Sequence, residues 1–186
     1  KKDCNYHISV LRRLRRVLDS DQTKRIANGT IMSRLRYCLT VHGAEQLRFT
    51  TDDKLTAVCQ ELQKIQNEML RIITGRKRSD RAKITDMLKS TGMMSVNQMI
   101  GYATLMEAWK SKEFKIPYLS SLLSYERNDD RTLRSNTNNS ATSSVVEPFA
   151  ICAKRLWNQA SVRFRTTNLI TVAKIEAKKF AITLPT

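Results

Sequence analysis

The sequence predicts an all-α protein, a multi-helix bundle of about six to eight helices with one polar linker. Three observations lead there. Only five Gly and three Pro punctuate 186 residues, so the elements run long. Apolar residues recur at three- and four-residue steps along most of the chain, the period of a helix that buries one face. Hydrophobic residues make up 41% of the chain, which suits a packed core rather than a disordered polymer.

The first helix is carried by Ile8, Leu11, Leu14 and Leu18, widened by Val10 and Val17, with Arg12, Arg13, Arg15 and Arg16 on its flanks. Asp19-Ser20-Asp21 interrupts and caps a second helix, which starts near Gln22, carries Ile26, Ile31, Leu35, Cys38 and Leu39, and stops at Gly43. Thr51-Asp52-Asp53 is the cap signal for the cleanest helix, with Leu55, Val58, Cys59, Leu62, Ile65, Met69, Ile72 and Ile73 on one stripe. Gly75 stands where a terminating glycine belongs.

Arg76-Lys77-Arg78 follows, and Ser79-Asp80 caps a short helix bearing Ile84, Met87 and Leu88. After Thr91-Gly92, Ser95 caps a helix with Val96, Met99, Ile100, Ala103, Met106 and Trp109. Phe114 to Leu123, with Pro117 inside it, reads as an apolar connector. Residues 124–146 turn rich in Asn, Ser, Thr and Arg and read as a linker or surface loop. Order resumes with Pro148 at a first helical position and Phe149, Cys152, Ala153, Leu156, Trp157 and Ala160 on one face. A last helix from about Asn168 presents Leu169, Ala173, Ala177 and Phe180. The expected organisation is a helical domain over 1–123, the linker 124–146, and a C-terminal helical segment over 147–186.

Charge sets the function class. Lys and Arg number 33 against 17 Asp and Glu, a net charge of +16, and a surplus of that size fits a polyanionic partner, of which nucleic acid is the commonest. Cys4, Cys38, Cys59 and Cys152 are far apart, as are His7 and His42, so neither a zinc site nor a disulfide framework is expected, and no cofactor. Cys38, Cys59 and Cys152 fall on apolar helical positions, as buried thiols do. No secretory segment or membrane-spanning run is visible, so the expected place is intracellular, nucleus or cytoplasm, away from membranes.

No phosphate loop, dinucleotide fingerprint or zinc-protease motif occurs, and no enzyme activity is expected. Asp52-Asp53 and Asp129-Asp130 are paired carboxylates of the kind two-metal chemistry uses, but one opens a helix and the other sits in the linker. The basic clusters are the candidates for nucleic-acid binding: Arg12, Arg13, Arg15 and Arg16 on the first helix, Arg34 and Arg36 on the second, and Arg71, Arg76, Lys77, Arg78, Arg81 and Lys83 around the junction after the long helix. That junction also precedes a helix N-terminus, which favours phosphate. Arg163, Arg165, Lys174, Lys178 and Lys179 form a weaker basic tail, while Tyr37, Trp109 and Trp157 fall within apolar periodicity and read as core.

Leu62-Gln63-Lys64-Ile65-Gln66-Asn67-Glu68-Met69-Leu70-Arg71-Ile72-Ile73-Thr74-Gly75 resembles the helix found after the polymerase domain of non-LTR (LINE-type) retrotransposon proteins. His7-Ile8-Ser9, Leu11-Arg12-Arg13-Leu14 and Ser33-Arg34-Leu35-Arg36-Tyr37 are similar to the segment that leaves the palm in that family. Phe149 with Ala153-Lys154-Arg155-Leu156-Trp157-Asn158, then Val162-Arg163, resembles a downstream element, and the ending Lys178 to Thr186 looks like the family's C-terminus. The resemblance implies the thumb and the helical region beyond it, which hold the template–primer duplex of a reverse transcriptase. The palm motif that carries polymerisation is absent from these residues, as are the terminal Cys/His knuckle and any endonuclease signature. The expected partner is RNA or an RNA–DNA duplex, together with the remainder of a polymerase or a host protein. The alternative is a protein–protein adaptor, with Met93, Met94, Met99 and Met106 as an adaptable surface.

Overall fold

The computed structural model describes residues 2–37, 39–41, 43, 56–123 and 146–185, with only the backbone at 2, 120–122 and 146–148. Among the described residues it is all-α, with ten α-helices and no strand. They are α1 (Lys2–Leu14), α2 (Ser20–Ala27), α3 (Ser33–Arg36), α4 (Ala57–Thr74), α5 (Ile84–Thr91), α6 (Val96–Glu113), α7 (Pro117–Leu122), α8 (Val146–Gln159), α9 (Val162–Thr166) and α10 (Ile170–Ile182).

The architecture turns on α6. It is buried along most of its length, with Val96, Met99, Ile100, Leu105, Met106, Ala108 and Trp109 inside, so other helices must surround it. α4, α8 and α10 pack around it, while α1, α2 and α5 pack on α4. α4 therefore links the N-terminal helices to the centre. On α10 the buried stripe is Ala173, Ala177 and Ala181, small residues at four-residue steps that let its backbone approach α6. Gly101 of α6 faces this region, where a side chain would collide with Leu184.

Side-chain amides fasten the pieces. Gln66 is fully buried and donates to Met94 O at 2.7 Å, and Gln63 accepts from the Val96 amide at 3.1 Å while donating to Gln66 and Asn67. Two polar positions of the long helix, Gln63 and Gln66, thus tie α4 to the turn that starts α6, which satisfies backbone groups otherwise left unpaired in the interior. In the same first turn of α6, Gln98 donates to Ile182 O and Leu184 O, and Asn97 to Pro185 O. Trp109 Nε1 donates to Thr167 O at 2.9 Å.

Several boundaries differ from the sequence reading, each for a local reason. The first helix ends at Leu14 rather than Leu18; Arg15, Arg16 and Val17 lie in the turn that follows, and Val17 is 86% exposed. The second begins at Ser20 under a capping box between Asp19 and Gln22, widens into a π turn over Asn28–Met32, and stops at Tyr37, whose ψ of 124° is extended. Thr30 and Ser33 hydroxyls donate back to Ile26 O and Gly29 O, supporting the wide turn. Gly43 is buried within a further helical stretch and does not stop the second helix; a Cβ there would lie 2.6 Å from Ile100 Cγ1. It is a close-approach glycine. Tyr37 is 81% exposed, so the reading of it as core is wrong, whereas Trp109 and Trp157 are buried.

The cap of α4 is Thr56, whose hydroxyl accepts from the Cys59 amide; residues 51–53 lie outside the described residues, as do Cys38 and Leu55. Val58 is exposed and does not belong to the buried stripe of α4. Gly75 ends α4 at φ 70° and Gly92 ends α5 at φ 64°, left-handed turns that suit glycine. Asp80 does not cap α5. It accepts from the Lys77 amide at 2.7 Å and closes a 3₁₀ turn over Arg78–Asp80, and α5 begins only at Ile84. The apolar connector contains α7, with Pro117 at its first position. Residues 124–145 of the expected linker lie outside the described residues; α8 begins at Val146, which makes Pro148 its third residue rather than its first. α9, capped by the Ser161 hydroxyl, is a helix the sequence pattern does not announce; it seats Phe164 edge-on to Trp157 at 5.5 Å between ring centroids. Leu169 precedes α10 and is exposed. Met99 and Met106 are core, and Met93 and Met94 are half-buried against it.

Candidate nucleic-acid interface

The end of α1 lies beside the last turns of α4. On α4, Glu68, Arg71 and Ile72 share a face at steps of three and four residues, and Gly75 falls next on that line. The left-handed turn at Gly75 then reverses the chain, with the Arg76 amide donating to Arg71 O at 3.0 Å. Arg76, Lys77 and Arg78 are thereby returned to the same face. Arg12 from α1 and Arg15 from the turn after it complete the wall.

The result is an open groove of about 540 Å³ lined by Arg12, Arg15, Glu68, Arg71, Ile72, Gly75, Arg76, Lys77 and Arg78. Six cations face one carboxylate. Glu68 Oε1 pairs with Arg12 Nη2, and Oε2 with Arg78 Nη2 at 2.9 Å. Arg15 Nη1 donates to Leu18 O at 3.0 Å and Arg71 Nη1 to Lys77 O at 3.3 Å. These bonds to carbonyls hold the two guanidiniums in place without neutralising them. Arg15 Nε is buried without a partner. Arg76 and Lys77 are exposed and make no ion pair with a described residue. A Cβ at Gly75 would sit 3.8 Å from Arg15 Nη2, an ordinary contact, so the glycine is favoured here by its φ of 70° rather than by space.

Of the twelve residues the sequence singles out, Arg12, Arg15, Arg71, Arg76, Lys77 and Arg78 converge on this groove. The other six do not line it. Arg13 and Arg16 are exposed beside it. Arg34 contacts His7 Nε2 and faces a different cleft, together with Asp3 and Glu61. Arg36 is exposed at the end of α3, and Arg81 and Lys83 are exposed beyond the 3₁₀ turn. Of the basic tail, Lys179 pairs with Glu176. Sequence reasoning missed two members. Glu68 could have been found from its three- and four-residue spacing to Arg71 and Ile72. Lys24 lies in a smaller polar cleft of about 280 Å³ with Ser20, Asp21, Thr74 and Ser90, joined to the groove through Arg76; contact between α2 and α4 is tertiary, and no local pattern announces it.

Partial burial pushes the Glu68 carboxyl up, but hydrogen bonds from Arg12 and Arg78 and their charges outweigh it and hold the group below the ordinary glutamate value. A carboxyl lowered on folding stabilises the fold above its unfolded value near 4.5 and loses that contribution as pH falls through its folded value. Urea midpoints measured between about pH 7 and about pH 3 should therefore fall less in Glu68→Gln than in the wild type; equal falls would show that the pair adds nothing to the native state.

Among the described residues no cluster of three metal-ligating side chains exists. Asp52-Asp53 and Asp129-Asp130 lie outside those residues. Burial pushes the Cys59 thiol up, against a hydrogen bond with Thr56, which is the opposite of an activated nucleophile. No helix of the described residues is long and apolar enough to cross a membrane.

No family model, curated protein or solved structure matches this chain.

Proposed function

We propose that the chain binds the phosphodiester backbone of an RNA or RNA–DNA duplex, as a thumb-like module of the kind found beyond the polymerase domain of non-LTR retrotransposon reverse transcriptases. One observation carries the reading: arginines and a lysine from α1, the end of α4 and the turn after Gly75 meet in one groove that holds a single carboxylate. Guanidiniums present forked donors that match phosphate oxygens, and phosphate contacts hold a duplex in register without reading bases. The described part of the chain contributes positioning, and chemistry on the duplex belongs to other polypeptide.

The groove's occupant is testable directly. Fluorescence anisotropy at about 50 mM salt should show the chain binding a short RNA–DNA hybrid with a Kd of about 10⁻⁶ M or tighter, independent of base sequence. No saturable binding at about 10⁻⁴ M protein would end the proposal. Preference for a protein partner, with no affinity for any nucleic acid, would favour the adaptor reading instead.

A further inference from the structure

Glu68 stands out because it is the one anion in a groove of cations. It sits on the floor, its side chain 19% exposed, while its partners Arg12 and Arg78 are 55% and 82% exposed at the rim. Both of its oxygens are engaged, one by each guanidinium, and those guanidiniums come from different elements, α1 and the 3₁₀ turn. We propose that Glu68 is a resident counter-anion that occupies a phosphate position in the empty groove and sets affinity by competing with the ligand for Arg12 and Arg78. This rests on the reading of the groove as a phosphate-backbone site.

A carboxylate bridging two arginines offers the same pair of charged oxygens that a phosphodiester offers, so the same donors recognise both. Ion pairs with partners this exposed are weak, because water and salt screen them, and an incoming phosphate can replace them. Once it does, Glu68 is left part-buried, without its partners and close to a like charge, and that residual repulsion is subtracted from the binding energy. A resident anion of this kind lets a strongly basic groove release a duplex and re-engage it one step along, which a module that tracks a moving template–primer needs.

Glu68→Gln keeps the size and the acceptor oxygen while removing the charge. It is expected to bind an RNA–DNA hybrid on the order of tenfold more tightly than the wild type, with unchanged far-UV circular dichroism. Equal or weaker binding by a folded Glu68→Gln would overturn the proposal and make Glu68 a positioning residue that holds Arg12 and Arg78 in place. Should the variant not fold, the wild-type protein supplies the reading. The ¹³C resonance of the Glu68 carboxyl should shift on saturation with the hybrid as its guanidinium partners leave, and an unmoved resonance under saturation would equally overturn it. A wild-type chain that binds no hybrid at all condemns the groove assignment itself, a result distinct from either of these.

Discussion

Reversing the charge of Arg76 and Lys77 together, to Glu, is expected to weaken binding to an RNA–DNA hybrid by about a hundredfold or more at moderate salt, and to leave the urea midpoint close to that of the wild type. Both residues are exposed and make no ion pair with a described residue, so the fold gains little from their charge. Both lie in the groove, where each phosphate no longer neutralised lowers the salt slope by about one and the reversed charge adds repulsion. Arg36→Glu provides the internal control. It changes net charge in the same direction at a site away from the groove, and it should alter affinity only a few-fold through the long-range field. A comparable weakening in Arg36→Glu would mean that the total charge, not the groove, drives association.

The largest stability effect is expected at Trp109. The indole is 2% exposed on α6, donates to Thr167 O, and lies edge-on to Phe114 at 6.2 Å between ring centroids. Trp109→Ala removes that volume from a close-packed interior and leaves a carbonyl without its donor. The expected loss is about 3–5 kcal/mol, a large share of the ~5–15 kcal/mol that holds a domain together. Urea unfolding should show a strongly reduced midpoint or an unfolded chain at physiological temperature. Trp109→Phe, which keeps most of the volume and loses the hydrogen bond, should cost roughly a third as much. A small effect of the alanine variant would show that the segment around Thr167 does not pack on α6 as described.

What the sequence makes legible follows from how local each signal is. The α4 stripe from Cys59 to Ile73, the terminating Gly75 and the Ser95 cap are all present in the fold, each set by contacts between residues a turn or so apart. Three misplacements have separate causes. Asp80 can cap either the helix downstream or the amide of Lys77, and the 3₁₀ turn takes it. Gly43 matches the pattern of a stop, yet the requirement comes from Ile100, far away in sequence. Tyr37 fits the apolar period, but α3 has already ended there and its ring faces solvent.

The groove divides in the same way. Arg71, Arg76, Lys77 and Arg78 form a cluster that any reading of charge would find. Their meeting with Arg12 and Arg15 depends on α1 lying along α4, and the separation of Arg34 and Arg36 from them depends on α3 pointing elsewhere. Glu68 is hidden inside a motif whose neighbouring amides, Gln63, Gln66 and Asn67, serve packing.

The salt dependence of binding counts the phosphates that the groove neutralises. For wild-type chain titrated with an RNA–DNA hybrid between about 50 and about 200 mM monovalent salt, a groove that neutralises about five phosphates predicts a log–log slope of about −4 to −5, a drop of several hundredfold in affinity. The slope should become about two units shallower in the Arg76→Glu, Lys77→Glu double variant. A flat response in the wild type, or an equal slope in the double variant, would contradict the account.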